Sequence, residues 1–132
     1  MTMPAGKYYI GDLCYVMHDE WDEVCHLLFG SSQTGRIKEG EFTLKDGRRF
    51  ACYSTAYGDG CYDDQDKNQY CVDSGSIGCV LLESCDVSRE EIEEDRLGHI
   101  VEFTERFNTY AAGGVIRIGR IAINTEYEEE DY

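Results

Sequence analysis

Positive charge is scarce in this chain. Twelve Lys and Arg stand against 27 Asp and Glu, a formal charge of −15 over 132 residues. A surface of that sign repels phosphate backbones, so direct binding to DNA or RNA is not expected. Long apolar runs are also missing: no stretch approaches the ~20 residues that a membrane helix needs. The start Thr2–Lys7 is polar and carries no apolar leader, so neither a membrane span nor export is expected. Proline occurs once, and with 42% apolar residues this is the composition of one globular domain.

Several chemical signatures are absent too. The Walker pattern, the dinucleotide fingerprint and the His-Glu-x-x-His motif do not occur, which removes the commonest nucleotide and zinc-hydrolase assignments. The seven cysteines, at 14, 25, 52, 61, 71, 79 and 85, include no Cys-x-x-Cys pair. Zinc is disfavoured by that spacing, even with Cys14 and Cys25-His26 in reach of a shared site. An odd number without an export signal reads as reduced thiols in a cytoplasmic protein, most of them small core residues. An EF-hand placed on Asp64, Asp66 and Asn68 fails at its sixth position, Gln69, and at its twelfth, Gly75.

What is present points to a single α+β domain over 1–125: a mostly antiparallel sheet, one long amphipathic helix (about 19–29) and one short helix (about 88–97). Ten tyrosines against five phenylalanines favour strands and half-wet surfaces. In the first helix Trp21, Val24, Cys25 and Leu28 fall at i, i+3, i+4 and i+7, one stripe, with Asp19 as its cap and Gly30 as its stop. In the second, Ser88 and Glu91 have capping-box spacing, and Val87 with Ile92 forms a hydrophobic staple. Lys45-Asp46-Gly47-Arg48 reads as a hairpin turn between strands. Cys79-Val80-Leu81-Leu82 is continuously apolar, as a central strand covered on both faces requires. His99–Tyr110 and Val115–Asn124 read as two strands of a hairpin through Ala111–Gly114. A glycine bulge at Gly119 would reconcile Ile116 and Ile118 with Ile121 and Ile123. Residues 126–132 read as a disordered acidic tail.

Candidate sites gather where glycines bracket aspartates. Tyr57-Gly58-Asp59-Gly60-Cys61-Tyr62 and Val72-Asp73-Ser74-Gly75 place carboxylates on turns whose backbone most side chains would forbid. Asp12 follows Gly11 at the end of a first strand, Lys7–Ile10. Convergence of Asp12, Asp59 and Asp73 would suit a divalent cation, the one cofactor these residues favour, held by oxygen ligands. The plainer alternative has each aspartate capping its own turn. Nucleophile and base pairs drawn from Cys14, Cys61 and Ser74 with His18, His26 or His99 lack a supporting motif. The second informative pattern is acidic: seven acids from Glu83 to Asp95 against Arg89 alone, fit to dock on a basic protein surface.

Four segments resemble a group of small bacteriophage-encoded proteins. They are Ile10-Gly11-Asp12-Leu13-Cys14-Tyr15 with Trp21, Tyr57–Tyr62, Val72–Gly78, and Ile118-Gly119-Arg120-Ile121-Ala122-Ile123-Asn124-Thr125. Leu13 stands where members of the group carry proline. The resemblance implies no settled activity, only a setting in the host cytoplasm where accessory proteins inhibit or redirect host proteins. The expectation is therefore an acidic binding or inhibitory module acting on a host or phage protein. A basic, nucleic-acid-binding groove is the partner surface that its charge suits. Asp12, Tyr15, Tyr57, Asp59, Tyr62, Asp73 and Ser74 are its candidate contact residues. A cation-dependent enzyme built on Asp12, Asp59 and Asp73 is the less favoured rival, and a virion or assembly component is the third.

Overall fold

The structure is a computed structural model describing residues 3–29, 39–55, 60–73 and 75–125. Ten strands form two five-stranded antiparallel sheets. The first has the order β2 (Gly40–Thr43), β3 (Arg49–Ser54), β6 (Ser76–Leu81), β1 (Gly6–Gly11), β7 (Gly98–Phe103). The second runs β5 (Gln69–Val72), β4 (Gly60–Asp64), β10 (Ile121–Asn124), β9 (Val115–Ile118), β8 (Thr109–Ala112). Two α-helices, α1 (Trp21–Phe29) and α2 (Arg89–Glu94), and two 3-10 turns, Leu13–Tyr15 and Leu82–Ser84, complete the described elements. None is long and apolar enough to cross a membrane.

Strand alternation explains the layering, because successive side chains leave a strand on opposite faces. Tyr8, Ile10, Ala51, Tyr53, Ile77 and Cys79 point from the first sheet into a core shared with Tyr62, Tyr70, Ile116, Ile118, Ile121 and Ile123 of the second. Their sequence neighbours Tyr9, Phe50, Cys52 and Val80 point the other way, toward Leu13, Val24 and Ile92 beneath the helices. The first sheet is therefore covered on both faces, as the apolar run at 79–82 predicts. Each Ile or Leu fully buried this way contributes roughly 1.5–3 kcal/mol.

Several expectations are corrected by the structure. The first helix is not long: it has nine residues and starts at Trp21, while Asp19 donates its backbone N–H to Asp86 Oδ2 at 2.9 Å. Val24 is buried and Trp21 half-buried against the second core, so part of the expected stripe does pack inward. The second helix is confined to Arg89–Glu94, where Ser88 accepts from the N–H of Glu91 as the capping box requires. The segment 99–110 is two strands, β7 and β8, in different sheets. Gly119, at φ +59, opens the turn of a β9–β10 hairpin in which Ile118 faces Ile121. Reversal of the chain, not a bulge, is what shifts the isoleucine parity. The expected tail at 126–132 lies outside the described residues.

The thiol expectation also changes. Cys61 of β4 and Cys71 of β5 stand opposite each other and form a disulfide, whereas Cys14, Cys25, Cys52, Cys79 and Cys85 are free. A separation of 10 residues hides this bond from motif reading, since only hairpin register brings the two together. Closing a loop of that length stabilises a domain by roughly 2–3 kcal/mol in the chain-entropy account. Cys61→Ser, or dithiothreitol on the native chain, is expected to lower the urea midpoint accordingly. A midpoint unchanged by both treatments would remove the bond from the stability of the fold.

Candidate functional site

Two of the predicted aspartates meet. Asp12 follows β1 directly and is fully buried. Its Oδ1 accepts from the N–H of Cys14 at 3.0 Å, capping the 3-10 turn Leu13–Tyr15, and its Oδ2 accepts from the N–H of Asp73 at 2.7 Å. The exposed Asp73 carboxylate in turn accepts from the Tyr15 hydroxyl at 2.5 Å. Tyr15, Asp12 and Asp73 thus form one chain of hydrogen bonds joining β1 to the end of β5. Tyr9 closes it from below, its hydroxyl lying 2.8 Å from the Asp12 carbonyl and 2.7 Å from that of Leu97.

This geometry favours a clamp over a cation site. Both Asp12 oxygens receive backbone N–H donors, which occupy lone pairs that a metal would need. Among the described residues the only trio of metal-capable side chains close enough to share an ion is Asp19, Glu20 and Asp86, which includes neither Asp12 nor Asp73. Arg48 already supplies positive charge there, its Nη1 3.3 Å from Glu20 Oε1. The Glu20 carboxyl is nevertheless raised above its ordinary range, first by burial and then by the nearby Asp86 charge.

Tyr57, Asp59 and Ser74 lie outside the described residues. Tyr62 is corrected: alternation on β4 turns its ring into the inter-sheet core, 1% exposed, so it offers no contact surface. The thiols weighed as nucleophiles, which no motif supported, are not thiolates. Burial, helped by the Asp12 carboxylate, pushes the Cys14 thiol up to about 12, which keeps it protonated at neutral pH. Cys61 is consumed by the disulfide. The Tyr15 hydroxyl is likewise raised, by burial and by its bond to Asp73.

The loop tested as an EF-hand is a hairpin turn built by Asp64. Its Oδ1 accepts from the N–H of Asp66 and Asn68, and its Oδ2 accepts from the Tyr70 hydroxyl at 2.8 Å and from Asn68 Nδ2 at 3.2 Å. Burial alone would raise this carboxyl, but the four donors outweigh it and hold it below the usual carboxylate range. The signal for this was in the sequence: Asp-x-Asp-x-Asn between two strands is turn chemistry as readily as metal chemistry.

Sequence reasoning missed a cleft between the β4–β5 hairpin and the α2–β7 connection. It has a volume of about 740 Å³ and is lined in part by Lys67, Asn68, Cys71, Glu93, Arg96 and His99. Comparison with known proteins finds no matching family model, no matching curated protein and no matching solved structure.

Proposed function

We propose that the chain is an acidic binding module that docks on a basic surface of a protein partner, in the manner of the phage accessory proteins it resembles, inside the host cell. The observation that carries this reading is the joining of two acidic segments into one face. Asp86 donates its N–H to the Val16 carbonyl at 2.8 Å and accepts from Asp19, which sets the acidic α2 region beside the start of α1. Carboxylate oxygens of Asp19, Glu20 and Asp86 lie within 4.8 Å of one another. On α2 Ile92 is buried and anchors the turn, while Glu90, Glu91, Glu93 and Glu94 are exposed. Such a face accelerates encounter with a cationic groove and rejects nucleic acid itself. Tyr15 and Asp73 offer a second, smaller contact at the clamp.

Capture of partners from a bacterial lysate tests the reading, with the wild-type chain and a Glu90→Lys/Glu91→Lys/Glu94→Lys variant at low and raised salt. Partners retained by the wild type should be lost with salt, and the variant's association rate should fall roughly tenfold or more. Retention that ignores both ionic strength and charge reversal would sink the proposal.

A further inference from the structure

The geometry points to the cleft between the β4–β5 hairpin and the α2–β7 connection as a binding site for a phosphomonoester of nucleotide size, gripped by Lys67 and Arg96.

The backbone carries the first argument. Among the described residues only two non-glycine positions have positive φ, Lys67 at 70° and Arg96 at 54°. Both are basic, and both line this one cleft. Each stands where glycine or asparagine serves best. Lys67 is the last residue of the three-residue hairpin loop closed by the mutual bonds of Asp64 and Asn68, the left-handed position of that loop. Arg96 follows the cap of α2, and the N–H of Leu97 returns to the Ile92 carbonyl, the helix-ending motif whose left-handed residue is ordinarily glycine. Left-handed backbone costs an L-residue about 1–2 kcal/mol. Neither turn needs a cation for its own formation. Strain kept at two separate turns and aimed at one cavity marks the cavity as the common cause.

Charge is the second argument. Among the described residues three cations form ion pairs, Arg48 with Asp46 and Glu20, Arg49 with Glu41 and Arg89 with Glu93, and none of these three lines the cleft. Among the described residues neither Lys67 nor Arg96 has a carboxylate within ion-pair distance, and the Glu93 carboxylate at the rim is taken by Arg89. Two uncommitted cations match a dianion. His99 adds a third polar group. Its Nε2 lies 2.8 Å from the Gln69 carbonyl, which can only accept, so Nε2 carries the proton and Nδ1 remains as the ring's other polar atom. An edge contact with Tyr70, centroids 4.6 Å apart, fixes the ring.

Size sets the ligand class. A volume of about 740 Å³ falls in the range of small-molecule sites and far exceeds a bare phosphate. The Asn68 side chain donates to Asp64 through Nδ2, leaving its carbonyl oxygen for a ligand hydroxyl or amine. This site shares no lining residue with the Tyr15–Asp12–Asp73 clamp and only Glu93 with the acidic docking face.

Isothermal titration calorimetry of the full chain with AMP, inorganic phosphate and adenosine tests the assignment. AMP is expected to bind one to one, phosphate at least tenfold more weakly, and adenosine without measurable heat. Lys67→Gly and Arg96→Gly should each weaken AMP at least tenfold, yet melt at the wild-type temperature or a few degrees higher, because glycine relieves the backbone. That pairing separates lost binding from damaged folding. Absence of AMP binding to the wild type, full affinity in both glycine variants, or phosphate binding as tightly as AMP would each overturn it.

Discussion

Gly78→Ala is expected to cost the domain more than about 3 kcal/mol and to leave little folded protein at 37 °C. A Cβ on Gly78 would sit 2.1 Å from the Ala51 carbonyl oxygen and 2.9 Å from Leu13 Cδ1. Gly78 pairs with Cys52 on one side and Gly11 on the other, in the central strand of the first sheet. Overpacking of side chains costs typically 1–3 kcal/mol, because side chains rotate away. Here the obstruction is backbone, so β6 and β3 must part and lose ladder bonds. Gly113→Ala is the control. Its Cβ meets nothing within 4 Å although φ is +58, so it should cost only the left-handed penalty of about 1–2 kcal/mol. Thermal melts of both variants decide the point. Equal losses would show that the strands yield to the added carbon, so that close approach does not require glycine at 78.

Asp12→Ala carries the second large effect, a loss of about 3–5 kcal/mol. Two backbone N–H groups, of Cys14 and Asp73, donate to this buried carboxylate. Hydrogen bonds to a charged group contribute about 1.5–3 kcal/mol each, and donors stranded in the interior add their desolvation cost. Asp12→Asn keeps one acceptor oxygen and should lose about half as much. Urea midpoints with an unchanged slope measure both variants. A midpoint for Asp12→Ala within experimental error of wild type would mean that the clamp does not hold β1 to β5. A cation site would behave otherwise: EDTA would then reproduce the loss in the wild type, and here it is expected to do nothing.

These two residues also show where sequence reading succeeds. Gly11-Asp12 and Ser76-Ile77-Gly78 are visible in the sequence as glycine-hinged motifs. What they do is local in one case and distant in the other. Asp12 capping Cys14 spans two residues and follows from turn chemistry. Its bond to Asp73 spans 61 residues and depends on where β5 ends. Of the two alternatives for the aspartates, Asp12 takes the plainer one, capping its own turn through the N–H of Cys14; its other oxygen reaches the backbone N–H of Asp73, not the Asp73 carboxylate, and Asp59 lies outside the described residues. Tyr62 fails as a contact residue for a similar reason. Alternation fixes that Tyr62 and Cys61 face opposite ways, but not which way is inward.

The misread strands follow the same division. Ile116, Ile118, Ile121 and Ile123 carry a clear period of two, yet a bulge and a two-residue turn give the same change of parity across Gly119. Only the antiparallel pairing of β9 with β10, which sets Ile118 opposite Ile121, separates the alternatives. Short elements such as α1 gain their stability from packing more than from intrinsic propensity, so their ends shift with context.

By itself the sequence determined the charge, the largely antiparallel character, the buried central strand, the α2 cap and the glycine hinges, since each depends on neighbours a few residues apart. Tertiary structure alone decided the second sheet, the Cys61–Cys71 bond, the Asp12–Asp73 clamp and the cleft that Lys67 and Arg96 both line. Those pairings join residues whose separation along the chain says nothing about their separation in space until sheet order and register are set.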